Sequence, residues 1–276
     1  MRSMIKSLLR DKVGRWGLFG MLLIILMAIL APYLAPYDPI KMLPGMKLHP
    51  PSAAHWFGTD SYGRDILSRI LYGAQVSIFV GLVSVSIGAV FGFVFGILSG
   101  YFGGVVDNII MRVMDVLFAF PSVLLALIIV AVMGPDIGNT MIAIGIVFIP
   151  IFTRTVRASV LSVKDMDYVS NARSVGVSTG NIILKHISPN VLSPFLVQVT
   201  LALSSAVLTE STMSFLGLGI QPPHPSWGSM LSEARAYMEL APWTAIFPAI
   251  FIIIAILSFN ILGDSLRDVL DPRLKL

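Results

Sequence analysis

Long apolar runs alternate with short polar stretches along this chain, and the lengths of the runs define its architecture. The first run covers about 16–35, and others of similar length follow at about 75–101, 108–133, 140–156, 191–215 and 243–262. Runs of about 20 apolar residues match the hydrocarbon thickness of a bilayer, and a helix meets its own backbone hydrogen-bonding needs there. The pattern predicts an all-α polytopic membrane protein with six transmembrane helices. A short surface helix is expected over 62–71, ahead of the second span. Pro121 falls inside the third span, where it should kink or locally unwind the helix, and Pro150 lies near one end of the fourth. Gly88, Gly92, Gly96 and Gly100 are four apart in the second span and form one stripe. Such a stripe lets helix backbones approach closely in lipid, a better account than a substrate groove.

One polar segment interrupts the pattern. Between 164 and 190, Tyr168, Ala172 and Val175 recur at helical spacing and Gly176 breaks it. Ser178 or Thr179 can cap a second short helix running to Ile187, which Pro189 should close. The expectation is a compact knob of two amphipathic helices joined at a glycine.

Charge then orients the chain. In a six-span arrangement with both termini in the cytoplasm, all of the 19 Lys and Arg residues except Lys41, Lys47, Arg64, Arg69 and Arg235 fall on the cytoplasmic side. That bias places the knob there too. The basic start, with Arg2, Lys6, Arg10, Lys12 and Arg15, resembles a signal peptide, but the apolar run is too long for one and no small-residue cleavage site precedes Pro32 and Pro36. It reads as a retained first helix. The expected divisions are an N-terminal segment and first helix over 1–36, an external loop over 37–72, and a five-helix core over 73–264. The core carries a cytoplasmic loop over 158–190 and an external loop over 217–242, and a tail covers 265–276.

Composition agrees: 56% of the 276 residues are hydrophobic and 12% charged, about half the charged share of soluble domains. The net charge of +4 belongs to loops beside spans, so membrane topology explains it better than nucleic acid. The chain has no cysteine, which excludes disulfides and thiolate metal sites. His49, His55, His186 and His224 form no metal-ligand spacing. No phosphate-binding loop and no Gly-x-Ser-x-Gly elbow occur, so no catalytic, cofactor or metal site is expected in this chain.

Acidic residues in spans are costly in lipid and are candidates for function. Glu210 can line a water-filled passage or hydrogen-bond a neighbouring helix, and both readings stand. Asp115 and Asp264 lie near the cytoplasmic boundary, where solvation or, for Asp115, pairing with Arg112 is expected. For the knob, a membrane-surface role is a poor match, because Asp165 and Asp167 offset its basic residues. A protein groove is the better partner.

The segment Tyr168-Val-Ser-Asn-Ala-Arg-Ser-Val-Gly176, with His186-Ile-Ser-Pro-Asn190, resembles the EAA loop of ABC-importer permeases. Further motifs resemble the C-type permease of the dipeptide, oligopeptide and nickel branch. They are Gly58-Thr-Asp-Ser-Tyr-Gly-Arg-Asp65, Phe215-Leu-Gly-Leu-Gly219 with Pro225-Ser-Trp-Gly228, and Asn260-Ile-Leu-Gly-Asp-Ser-Leu-Arg-Asp268. Ser170 and Asn171 depart from the family's Glu-Ala, and Ser188 stands where Leu is usual.

The resemblance implies a type I importer permease in a prokaryotic cytoplasmic membrane. It would pair with a homologous permease, two ATP-binding subunits that hold ATP and magnesium, and an extracytoplasmic binding protein. It places ATPase coupling at Tyr168, Val169, Ala172, Arg173, Gly176, Ile183 and His186. Glu210, Phe215 and Trp227 are candidates for the translocation pathway. Asp60, Arg64 and Asp65, expected to be exposed, are candidates for binding-protein contact, although a structural cap on the second span is an equal alternative. Peptide is the first substrate choice, with nickel and then oligosaccharide behind it. An ion-coupled secondary transporter and an assembly factor are the readings from other classes.

Overall fold

The computed structural model describes residues 11–270; the basic start at 1–10 and the tail at 271–276 lie outside the described residues. Asp11 caps the first helix, α1 (Lys12–Leu34), by accepting from the backbone N–H groups of Val13 and Gly14. The Gly14 N–H, and next the Ser265 hydroxyl, hold the Asp11 carboxyl below the usual carboxylate range, so it stays ionised and keeps both acceptors. The second helix, α2, runs unbroken from Ile66 to Phe102, 37 residues. At 1.5 Å per residue that is about 55 Å, well beyond the hydrocarbon thickness. The expected surface helix at 62–71 is therefore the first turn and a half of this long helix, and the expected boundary at 72/73 falls inside it.

The third apolar run divides into α3 (Gly104–Phe118) and α4 (Ser122–Met133), whose axes differ by 90°. Pro121 does more than kink the helix: it ends one and starts another. α5 (Ile137–Val163) extends the fourth run by nearly two turns, and Asp136 caps it by accepting from Gly138 N–H. After the knob comes α7 (Ser188–Phe215), then α8 (Trp227–Ala234) and α9 (Trp243–Leu270); α6 (Asp167–Ser174) is the first helix of the knob. α9 continues eight residues past its expected end at 262. Among the described residues, five helices are long and apolar enough to cross a membrane, or six if the bent α3–α4 pair counts as one span.

The glycine stripe fixes the central packing. A Cβ on Gly88, Gly92, Gly96 or Gly100 would fall against Phe148, Phe152, Val156 and Val160 of α5, respectively. The two series ascend together, so α2 and α5 run parallel with backbones in close approach. Gly14, Gly17 and Gly20 meet Ser265, Ile261 and Ser258 in the opposite sense, so α1 lies antiparallel on α9. Ser204 on α7 donates to Asn260 on α9 at 2.6 Å, which ties the helix after the knob to the same layer. The knob and the α2 C-terminus lie at one end of the bundle, here the knob end. Residues 37–65 and 217–242 make the other, the loop end.

Candidate functional site

At the knob end, α6 closes with a left-handed turn. Gly176 has φ +82°, its N–H bonds Arg173 O at 3.1 Å, and Val177 N–H reaches back to Ala172 O at 3.1 Å. This doubly bonded helix end requires a residue that accepts positive φ, which is why Gly176 is there. The second half starts at Thr179 and passes through a π-helical turn at Ile182–Ile187 directly into α7. Pro189 therefore does not close the second helix. It lies inside one continuous helix over Thr179–Phe215, where the wider π-helical turn before it accommodates the ring. The expected second free-standing helix is the lower end of a long one.

The knob is bolted to the bundle. Val169, Ile182 and Ile187 are fully buried against Ile97 of α2, Val156, Val160 and Val163 of α5, and Val191 of α7. Asn190 Nδ2 donates to His186 O at 2.7 Å and to Tyr168 Oη at 3.1 Å, joining the two halves. Of the residues expected to meet an ATPase, Val169 and Ala172 instead face this interior, at 0% and 8% exposure. Ile183 and His186 are half-buried, whereas Tyr168, Arg173 and Gly176 are exposed. Met166 and Leu184, which the helical periodicity did not single out, complete an outward apolar surface with Val175, 79% exposed.

Two ion pairs join α3 to α5. Arg157 of α5 forms two 2.6 Å bonds to Asp107 at the start of α3, and Ser99 of α2 also bonds that carboxylate. Asp115 pairs with Arg154 of α5 at 2.6 Å, not with Arg112. The partner lies on a different helix, beyond what local spacing reveals.

The loop end holds a buried polar network. Asp60, Arg64 and Asp65 are 7%, 2% and 3% exposed, so the expected exposure is corrected. Asp65 caps α2 by accepting from Ser68 N–H at 2.8 Å and meets His55 Nδ1 at 2.9 Å. Arg64 donates to Asp60 at 2.6 Å and to Glu233 of α8 at 2.5 Å, and Arg69 donates to Glu233 at 3.1 Å. Two guanidiniums enclosed with two carboxylates satisfy the requirement that buried charge be paired. Glu233 and Arg69 carry as much of this network as the residues singled out from the sequence.

The three pathway candidates separate. Trp227 is fully buried, its indole N–H donating to Ile70 O at 3.1 Å across α2. It packs with Ile24, Ala74, Val207 and Ile252, which is neither a passage lining nor an interfacial anchor. Glu210 is enclosed as well: Ser214 Oγ donates to it at 2.7 Å and accepts from Ile220 N–H at 3.0 Å. Its enclosure does not fit the water-filled passage, and its hydrogen bonds come from Ser211 and Ser214 of its own helix, α7, where the other reading had a neighbouring helix. Phe215 alone remains partly open, at 37% exposure.

Comparison with known proteins agrees with this architecture. Residues 92–276 match the family described as the inner membrane component of binding-protein-dependent transport systems, and residues 1–51 match the N-terminal transmembrane domain of oligopeptide transport permease C. The chain is 45% identical to the dipeptide transport system permease protein DppC of Alkalihalophilus pseudofirmus, covering 99% of this chain and 90% of that one. It is 48% identical to the glutathione transport system permease protein GsiD of Escherichia coli, covering 96% and 88%. Two solved structures share the fold. The inward-facing MetNI methionine ABC transporter has a TM-score of 0.61 at 15% identity, over 74% of this chain and 97% of that one. An amino acid ABC transporter with histidines has a TM-score of 0.57 at 14% identity, over 73% and 94%. The chain belongs to the family of inner-membrane components of binding-protein-dependent transport systems, as a multi-pass permease subunit of an ATP-binding-cassette importer.

Proposed function

We propose that this chain forms half of a translocation pathway for di- or oligopeptides and that the knob transmits the motion of partner ATPases to it. Membership in the family implies an ATP-hydrolysing partner and a substrate-binding protein. The finer reading is a heterodimer with a second, homologous permease, two ATPase subunits that hold ATP and magnesium, and a binding protein on the loop side. Hydrolysis belongs to those partners, and both termini of this chain lie in the cytoplasm with the knob. Peptide is favoured because the relatives are named for a dipeptide and for glutathione, itself a tripeptide.

The knob's two-sided construction carries the reading. Buried Val169, Ile182 and Ile187 fix it rigidly to α2, α5 and α7, while Tyr168, Val175 and Leu184 face outward. A force applied to the outward face therefore moves three spans together, as coupling between distant sites requires. Docking rests on shape and apolar contact, because Ser170 occupies the position where the family's acidic residue stands. The chain's lack of cysteine makes the test clean. With Val175→Cys, a short bifunctional crosslinker should capture the ATPase subunit. Capture of lipid alone, from an intact complex, would overturn the assignment.

A further inference from the structure

The break between α3 and α4 has features that packing alone does not explain. α3 has 15 residues and α4 has 12, about 22 and 18 Å, so neither crosses the roughly 30 Å of hydrocarbon alone. The connecting residues Ala119, Phe120 and Pro121 are exposed. Irregular backbone at membrane depth persists only where protein covers it or water lines it.

Beside the break, the Asp115 and Arg154 side chains are 63% and 44% exposed, and the Arg154 guanidinium lies 4.2 Å from the Phe118 ring centroid. Arg154 is 17 residues into α5, about 26 Å from the end that starts at Ile137. Charges that exposed cannot face lipid tails. Nor does stability account for them: an exposed pair contributes about 0–1 kcal/mol, and the fastening of α3 to α5 is already made by the half-buried, doubly bonded Asp107–Arg157 pair.

We infer that this elbow lines a water-filled stretch of the passage, where Arg154 and Asp115 meet the carboxylate and ammonium ends of a short zwitterionic peptide. An ion pair in water exchanges its partners readily, so a solute bearing both charges can replace the internal contact with two of its own. Phe118 beside the guanidinium gives an apolar side chain somewhere to rest. The inference deepens the peptide-permease reading and rests on it.

The test uses the complete complex in proteoliposomes, with partner subunits free of reactive cysteine and with Ala-Ala as the probe peptide. Uptake of Ala-Ala by the unmodified complex is measured first; if there is none, the peptide reading fails independently of the elbow. Single-cysteine variants Phe120→Cys and Asp115→Cys are then treated with a charged, membrane-impermeant thiol reagent during turnover. Both should react, and for Phe120→Cys saturating Ala-Ala with its binding protein should slow the reaction about threefold or more by occupying the site. Adding Arg154→Gln to Phe120→Cys should remove that protection. Phe120→Cys leaves the ion pair intact, so it decides the matter even if Asp115→Cys fails to assemble. Reaction with membrane-soluble reagents only, no reaction, or equal rates with and without peptide would overturn the assignment.

Discussion

Gly176 shows how one backbone angle sets the shape of the knob. Its φ of +82° is forced by the bonds from Val177 N–H to Ala172 O and from Gly176 N–H to Arg173 O. No atom lies within 4 Å of where a Cβ would stand, so the constraint is conformational and not steric. A side chain in this region costs about 1–2 kcal/mol, more for a β-branched residue, whereas Asn tolerates it. Gly176→Val should therefore impair ATP-coupled uptake or assembly, while Gly176→Asn retains most of it. Equal behaviour of the two variants in uptake assays would show that the angle is irrelevant. Glu233 is the corresponding residue at the loop end, since it serves both Arg64 and Arg69. Glu233→Ala leaves the enclosed Arg69 without its hydrogen-bonded carboxylate and Arg64 with Asp60 alone, and should destabilise the protein by about 3–5 kcal/mol. Thermal unfolding of the detergent-solubilised protein measures this, and an unchanged midpoint would mean that the arginines find other partners.

At the scale of elements, the parallel contact of α2 with α5 is the spine of the molecule. Gly92→Ala places a Cβ against that of Phe152, and overpacking of this kind costs about 1–3 kcal/mol. Gly81→Ala meets Val207 at an ordinary 3.6 Å and should be close to neutral. A comparison of unfolding midpoints separates a packing stripe from a groove, because a groove would accept both methyl groups. The stripe and most spans were legible from the four-residue glycine spacing and the lengths of the apolar runs, which are local properties. The misreadings came from residues whose role is set from elsewhere in the chain. The expected gap between a surface helix at 62–71 and a span from about 75 does not exist: Gly73 lies inside α2, where its missing Cβ admits the Trp227 indole. Pro189 looked like a terminator, but the π-helical turn before it lets the helix continue. Asp60 and Arg64 looked exposed because the second carboxylate that Arg64 meets, Glu233, lies 169 residues further along the chain. Val169 and Ala172 were read correctly as part of a patterned helix, but which face turned inward depended on α2 and α5.

At the scale of the whole molecule, the helices form a rigid frame with two extensions. Clamps at the loop end join residues 37–69 to α8, and the knob joins α2, α5 and α7 at the other end. A frame built in this way moves as a body, which suits a subunit driven from outside and lacking a phosphate-binding loop of its own. The exposed apolar faces of α1, α4 and α9, with Phe19, Ile29, Val132 and Ile253 among them, suit lipid or a second permease. The central claim is that ATP hydrolysed by partner subunits drives peptide through this chain. Uptake of labelled Ala-Ala into proteoliposomes tests it most directly, with the complex reconstituted complete, without the ATPase subunits, or with Gly176→Val. The account predicts accumulation that requires both ATP and the ATPases and is impaired by Gly176→Val. Accumulation driven by a proton or sodium gradient in vesicles lacking the ATPases would contradict it.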